Sequence, residues 1–294
     1  MTTFRLWIAR MRHPRLVLVL AVCVLIAAVV TVVQLTSTSA RATRTTSPGT
    51  PARAPARASA PAGSAAAIRA QAAAWIAGQV GSDQSIACDP LMCKALGADG
   101  VTSGRLVALG TTTAANVLVT SPADHTQTSQ DMPVLLASFG AGDRQIEVRA
   151  AAPAGYAQAL AADLSARRSG GAQLLHSQSI QAGATAAAQL RSGQVDSRLL
   201  IMLALLASEH SWKVVAFGGA SPGVPLADAP LREVVIAGTD AKAVAGALTM
   251  IRAQRAPYAP AQASQVQLPG GQPGIRIDFA APGPLGLLTG TAVG

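Results

Sequence analysis

From Leu16 to Val33 the chain runs for eighteen residues with no charge and a single hydroxyl, Thr31. At about 1.5 Å rise per residue, that run extended through Gln34 and Leu35 reaches the roughly 30 Å of a hydrocarbon core. A transmembrane helix over 16–35 is therefore expected. A cleaved signal peptide has a shorter apolar core, roughly 7–15 residues, so length favours a retained signal anchor. Ala40 and Ala42 form an A-x-A pattern, so cleavage near Ala42, and secretion, is the alternative. Cys23 sits inside the run, which continues ten residues beyond it and so excludes a lipobox.

Cations flanking a span resist translocation. Arg5, Arg10, Arg12 and Arg15 precede the run, while Arg41 and Arg44 follow it. The short 1–15 segment is read as a cytoplasmic tail and everything after the span as extracytoplasmic, a single-pass topology at the plasma membrane. From Thr36 to Ser64 the chain holds Pro48, Pro51, Pro55 and Pro61 among Ala, Ser, Thr and Arg. Such a stretch buries too little apolar surface to offset its ordering entropy, so 36–64 is expected to be a disordered linker. Proline gives it partial polyproline II character and reach.

The formal charge of +9 would ordinarily raise nucleic acid as a partner. Eight of the arginines fall in the tail and linker, however, and aromatics are 3% of the chain, which leaves few stacking platforms. Nucleic-acid binding is not expected. The expected partners are the lipid bilayer, through residues 16–35, and an envelope protein or cell-wall component.

Cys88 and Cys93, in Cys88-Asp89-Pro90-Leu91-Met92-Cys93, form a close pair in a compartment that permits oxidation, and a structural disulfide is expected. The spacing differs from a thioredoxin-like Cys-x-x-Cys, and a zinc site would need two further ligands.

The remainder predicts an α/β fold, with mixed sheets and helices packed on their faces. Helices are expected over Ala65–Val80, from Leu91 to Leu96, Ala154–Arg168 ended by Gly170-Gly171, after Gln181 to Arg191, from an Asp196 cap through His210, and Ala241–Gln254 behind Thr239-Asp240. Buried strands are expected at Leu106–Leu109, Val117–Val119, Val134–Ala137, Val214–Phe217 and Val234–Ile236. A strand is expected to open at Leu174-Leu175, an edge or half-exposed strand is read at Ile146–Arg149, and Ile275, Ile277 and Phe279 alternate as a late strand. A faint echo relates Arg144–Arg149, its helix and Gln173–Ser177 to Arg232–Ile236, its helix and Gly274–Phe279, as any two alanine-rich β-α-β units would. The expected division is one α/β subdomain over 65–180 and a second over 181–294, continuous with the first or separate from it.

Chemistry is sparse. His13 belongs to the tail, His125 to a polar loop, His176 to a strand end and His210 to a helix C-terminus, where a donor near the last carbonyls is favourable. No Gly-x-Ser-x-Gly elbow or Ser-x-x-Lys set is present. The turn Gly218-Gly219-Ala220-Ser221-Pro222-Gly223 lacks the Gly-Lys-Ser/Thr of a phosphate loop and reads as a connector. No catalytic, cofactor or metal residue is therefore assigned. The residues from which a hydrolase would be built are Asp124, His125, Asp196 and His210.

Gly193-Gln194-Val195-Asp196-Ser197-Arg198-Leu199-Leu200, leading to His210 and Val214, together with Trp75 and the Cys88–Cys93 segment, resembles a group of actinobacterial membrane-anchored or exported envelope proteins. The arginine-for-lysine bias, three lysines among the 23 basic residues, fits the GC-rich genomes of such bacteria. The resemblance implies the location and brings no activity with it. Some envelope proteins with a comparable Val-Asp-x-Arg helix continue into a histidine-bearing segment, whereas no histidine follows Phe217 here. Asp196 and Arg198 then read as a helix cap and its ion-pair partner. The function expected is a non-catalytic binding or scaffold protein of the envelope, and the alternative is a wall or peptide hydrolase with a non-standard site.

Overall fold

The structure is a computed structural model that describes residues 63–110, 115–121 and 131–290. The expected span over 16–35 and residues 36–62 of the expected linker lie outside the described residues, while Ser64, its last residue, caps the first helix. Within them no helix is long and apolar enough to cross a membrane.

The first helix, α1 (Ala65–Gln79), starts where the Ser64 side chain accepts the Ala67 N–H, and it buries Ile68, Ala72, Ala73 and Ile76. Strand β1 (Ile86–Cys88) leads directly into α2 (Pro90–Ala98). Asp89 caps α2 by accepting from the N–H groups of Leu91 and Met92, and Pro90 occupies a first-turn position whose missing N–H costs no helical bond. Strands β2 (Leu106–Ala108), β3 (Val117–Thr120), β4 (Val134–Phe139) and β5 (Ile146–Ala150) complete a mixed sheet in the order β2-β1-β3-β5-β4. Both neighbours of β1 run parallel to it, and β5 is antiparallel to β3 and β4.

Helix α3 (Tyr156–His176) connects this sheet to the next. Then come β6 (Ile180–Ala182), α4 (Ala184–Ser192), α5 (Ser197–Ala207), β7 (Trp212–Gly218), β8 (Glu233–Ala237), α6 (Ala241–Arg252), β9 (Gln262–Gln267) and β10 (Pro273–Asp278). The second sheet, β6-β7-β8-β10-β9, has one parallel pair, β6 with β7, and is otherwise antiparallel. Asp196 caps α5, and Leu199, Leu200, Leu203 and Leu206 turn its apolar face onto Trp212, Ile236, Ile275, Ile277 and Phe279. Each of those leucines, fully buried, contributes about 1.5–3 kcal/mol. Asp240 caps α6 through the Ala243 N–H. The mixed α/β architecture expected from the sequence is thus present as two sheets with helices, and all described residues belong to one compact unit.

Several expectations are corrected. Gly170-Gly171 does not end α3, which continues to His176 and takes in Leu174-Leu175. A Cβ on Gly171 would stand 2.2 Å from the Leu190 carbonyl oxygen, so the glycine lets α3 and α4 touch instead of breaking the helix. Gln173–His176 is consequently helical, and the β-α-β echo fails in its first half. Strand β5 is central rather than an edge: Val148 and Ala150 are buried, and Glu147 is buried by its pairing with Arg149 at 2.7 Å. Strand β2 is a half-exposed edge, and β7 alternates, with Val214 buried and Val215 45% exposed. Three strands escaped the sequence reading, among them the three-residue β6, which follows the end of α3 and precedes α4. The others are β1, which also has three residues, and β9, an edge strand rich in glutamine with no apolar period.

Candidate functional site

A cleft of about 590 Å³ opens between the two sheets. The first sheet supplies Leu135 and Ala150; the second half supplies Asp163, Asp196, Ser221 and Arg232. Charged side chains reach so deep a place because each is placed by a rigid element and held by specific partners.

Helix α3 carries a buried stripe of Asp163, Arg167, Gly171 and Leu174. Arg167 Nε donates to Asp163 Oδ2 at 2.8 Å, and its Nη atoms donate to the carbonyls of Gly193 and Ala227. The other oxygen of Asp163 accepts from Ser197 Oγ and from the Gly286 N–H, both at 3.1 Å. This cluster ties α3 to the α4 C-cap, the start of α5 and the C-terminal segment.

At the α5 N-terminus, Asp196 Oδ1 accepts from the Arg198 backbone N–H and from its Nε, and Oδ2 accepts from Nη2 at 2.9 Å. Arg198 also donates to Ala280 O and lies 4.9 Å from the Phe279 ring centre. Burial alone would lift the Asp196 carboxyl; the Arg198 charge and hydrogen bonds outweigh it and hold the group below the usual carboxylate range, with Arg232 acting in the same direction. A Cβ on Gly283 would lie 2.8 Å from Asp196 Oδ2, so the Pro282-Gly283-Pro284 turn covers the pair only because that position is glycine.

Arg232 forms the third group. Its Nη1 donates to Ser221 Oγ at 3.0 Å and to Pro230 O at 3.4 Å, while Nε and Nη2 donate to Gln79 Oε1 at 3.3 Å. The Gln79 amide in turn donates to Asp278 Oδ2 at 3.3 Å, so it stands between cation and carboxylate. The guanidinium also lies 5.9 Å from the centre of the Trp75 ring. Burial pulls the Arg232 value below that of a free guanidinium, against the opposing pull of Asp196. Tyr156 faces the cleft with its phenol pushed above the usual value by burial and by the charges of Asp228 and Asp163.

The expected disulfide is present: Cys88 and Cys93 are bonded, with their Cα atoms 5.4 Å apart. It joins the last residue of β1 to the first turn of α2. Asp196 has the expected cap and ion-pair roles. His210 lies beyond the far end of the eleven-residue α5, about 16 Å of helix from Asp196, too far for direct cooperation. Asp124 and His125 lie outside the described residues. His176 ends α3, not a strand, with Nδ1 2.7 Å from Ala172 O. The Gly218–Gly223 turn is a connector, with Ser221 on Arg232 and Pro222 O accepting the Ser138 N–H of β4.

Sequence reasoning missed Asp163, Arg167, Tyr156 and Arg232. An available signal was the Asp163–Arg167 spacing of four, which marks a helical ion pair. Arg232 had no such signal. Among the described residues no group of three or more His, Cys, Asp or Glu is placed to hold a metal ion. The chain matches no family model, no curated protein and no solved structure.

Proposed function

We propose that this is a single-pass envelope protein, anchored in the plasma membrane through residues 16–35 and tethered by 36–64, whose extracytoplasmic α/β region binds a partner in the cleft without catalysis. The region reads as one α/β subdomain over 65–180, which includes α3, and a second over 181–294 continuous with it in a single compact unit. The observation carrying this reading is the state of the two buried carboxylates of the cleft. Asp163 and Asp196 each spend both oxygens on arginine, serine or backbone donors, so neither is free to act as a general base. A hydrolase built on Asp196 and His210 has no supporting geometry.

Two measurements test the proposal. A reporter fused after Gly294 should be active outside the cell; activity inside overturns the topology. Ala151 is an exposed residue lining the cleft, so Ala151→Trp obstructs it with little risk to folding. The full-length variant should lose the envelope component that the parent retains, whereas undiminished retention, or turnover of wall peptides by the parent, overturns the binding role.

A further inference from the structure

Two ionisable side chains of the cleft lack an oppositely charged partner, and they stand at different depths. Arg232 is 3% exposed. Arg167 and Arg198, the other buried arginines among the described residues, each have a carboxylate within 3 Å, whereas the hydrogen bonds of Arg232 go to Gln79, Ser221 and Pro230, and the Trp75 ring lies 5.9 Å away, all of them uncharged. Three of its four hydrogen bonds are 3.3–3.4 Å long, beyond the usual 2.7–3.2 Å for an N–H donor. A guanidinium has five N–H donors, so one on Nη2 remains unassigned. Asp196 acts on Arg232 only through space, because both its oxygens belong to Arg198, and Asp278 is held off by the Gln79 amide. A buried cation among neutral acceptors is costly, and an incoming carboxylate would supply what is missing.

At the rim the signs reverse. Asp228 is exposed, lines the same cleft, and its carboxylate makes no hydrogen bond or ion pair among the described residues. Four residue steps separate it from Arg232, which limits the Cα separation to about 14 Å. The cleft lining also includes the apolar side chains of Leu135, Leu160, Pro284 and Leu285, and Tyr156 presents a hydroxyl that donates to no described residue. The volume of about 590 Å³ suits a ligand of a few residues.

We infer that the cleft binds a short zwitterionic peptide with small aliphatic side chains, its terminal carboxylate on Arg232 and its terminal ammonium on Asp228. This rests on the binding role proposed above. A cation inside and an anion at the rim match a dipolar ligand of one orientation, and the aliphatic side chains in the lining suit small apolar side chains on it. The ligand supplies to Arg232 the carboxylate that Arg167 finds in Asp163 and Arg198 finds in Asp196.

The test is isothermal titration of the full-length chain in detergent with trialanine, trialanine amide and N-acetyl-trialanine. Trialanine should bind one to one. The amide should bind at least about tenfold more weakly, the loss expected for a charged hydrogen bond, and the acetylated peptide should be weakened less, because Asp228 is exposed to solvent. Asp228→Asn, at a surface position with no fold-stabilising contact, should bind the free and acetylated peptides equally while keeping discrimination against the amide. Equal binding of all three peptides, or of none, overturns the inference. If none binds while Ala151→Trp still abolishes retention of an envelope component, the peptide assignment fails and the binding role survives; if that variant also has no effect, both fail.

Discussion

The two sheets solve one packing problem with different materials. Over the first, α1 presents Ile68, Ala72, Ala73 and Ile76, of which two are alanines, and α2 adds Met92 and Leu96. Small side chains bury little area, and a covalent bond between β1 and α2 supplements them. Over the second, α5 brings four leucines, and the boundary with α3 is closed by hydrogen bonds from Ser197 to Asp163 and from Arg167 to the Gly193 carbonyl, around the buried Asp163–Arg167 ion pair instead of a crosslink. The difference teaches where each half is vulnerable: the first in its disulfide, the second in buried ion pairs that cannot lose one member without leaving the other uncompensated.

The largest effect should come from the second half. Asp163→Ala removes the partner of a fully buried arginine together with the acceptor of Ser197 and Gly286. Breaking one side of such a pair costs about 3–5 kcal/mol, read as a fall in the urea midpoint at neutral pH. The double replacement Asp163→Leu with Arg167→Met should recover most of that loss. If the double variant is as unstable as the single one, the pair contributes directly to stability and the contrast with the apolar first half weakens.

The same contrast explains what was legible in the sequence. Caps at Asp89, Asp196 and Asp240, the leucine face of α5 and the alternation of Ile275, Ile277 and Phe279 are local signals, and the helices and strand they predict are present. Helix α3 was misread beyond Arg168 because its buried stripe is Asp163, Arg167, Gly171 and Leu174, which has no apolar period, and because a glycine pair that serves close helix packing looks like a stop signal. Strand β5 looked like an edge because Glu147 and Arg149 alternate with apolar residues, and their mutual pairing, invisible in sequence, is what lets a polar strand face sit inside the sheet. The cleft was hidden for a related reason. Its residues come from α3, the α5 cap, the Ser221 turn and the Arg232 strand, and only tertiary folding unites them.

In the first half, the pair Cys88→Ala and Cys93→Ala opens a loop of six residues. Loop-closure entropy for so short a loop amounts to about 2 kcal/mol, so the variant should lose less than Asp163→Ala does. Hydrogen exchange sharpens the comparison by location: increased exchange should be confined mainly to β1, α2 and β2. Uniform acceleration across β7, β8 and β10 would mean that the halves unfold as one and that their different materials have no separate consequence.

The smallest effect should have the opposite sign. Burial, reinforced by Glu233, holds the Asp278 carboxyl above its usual value despite the Gln79 hydrogen bond and the nearby Arg232 and Arg276. Its Oδ1 is buried with no hydrogen-bond partner among the described residues. The folded state therefore holds this proton more tightly than the unfolded chain does, so this group's contribution to stability is present below about pH 3.9, the unfolded value, and is lost as pH rises through the higher folded one. Asp196 does the reverse: its folded value is depressed, so its contribution is present above that unfolded value and is lost as pH falls through the folded one. Asp278→Asn keeps an acceptor for Gln79 and removes the buried charge, so urea midpoints should rise slightly at pH 7 and converge with the parent's near pH 3. A lower midpoint at pH 7 would mean that the Asp278 charge is needed, through Gln79, to hold Arg232 beneath the cleft.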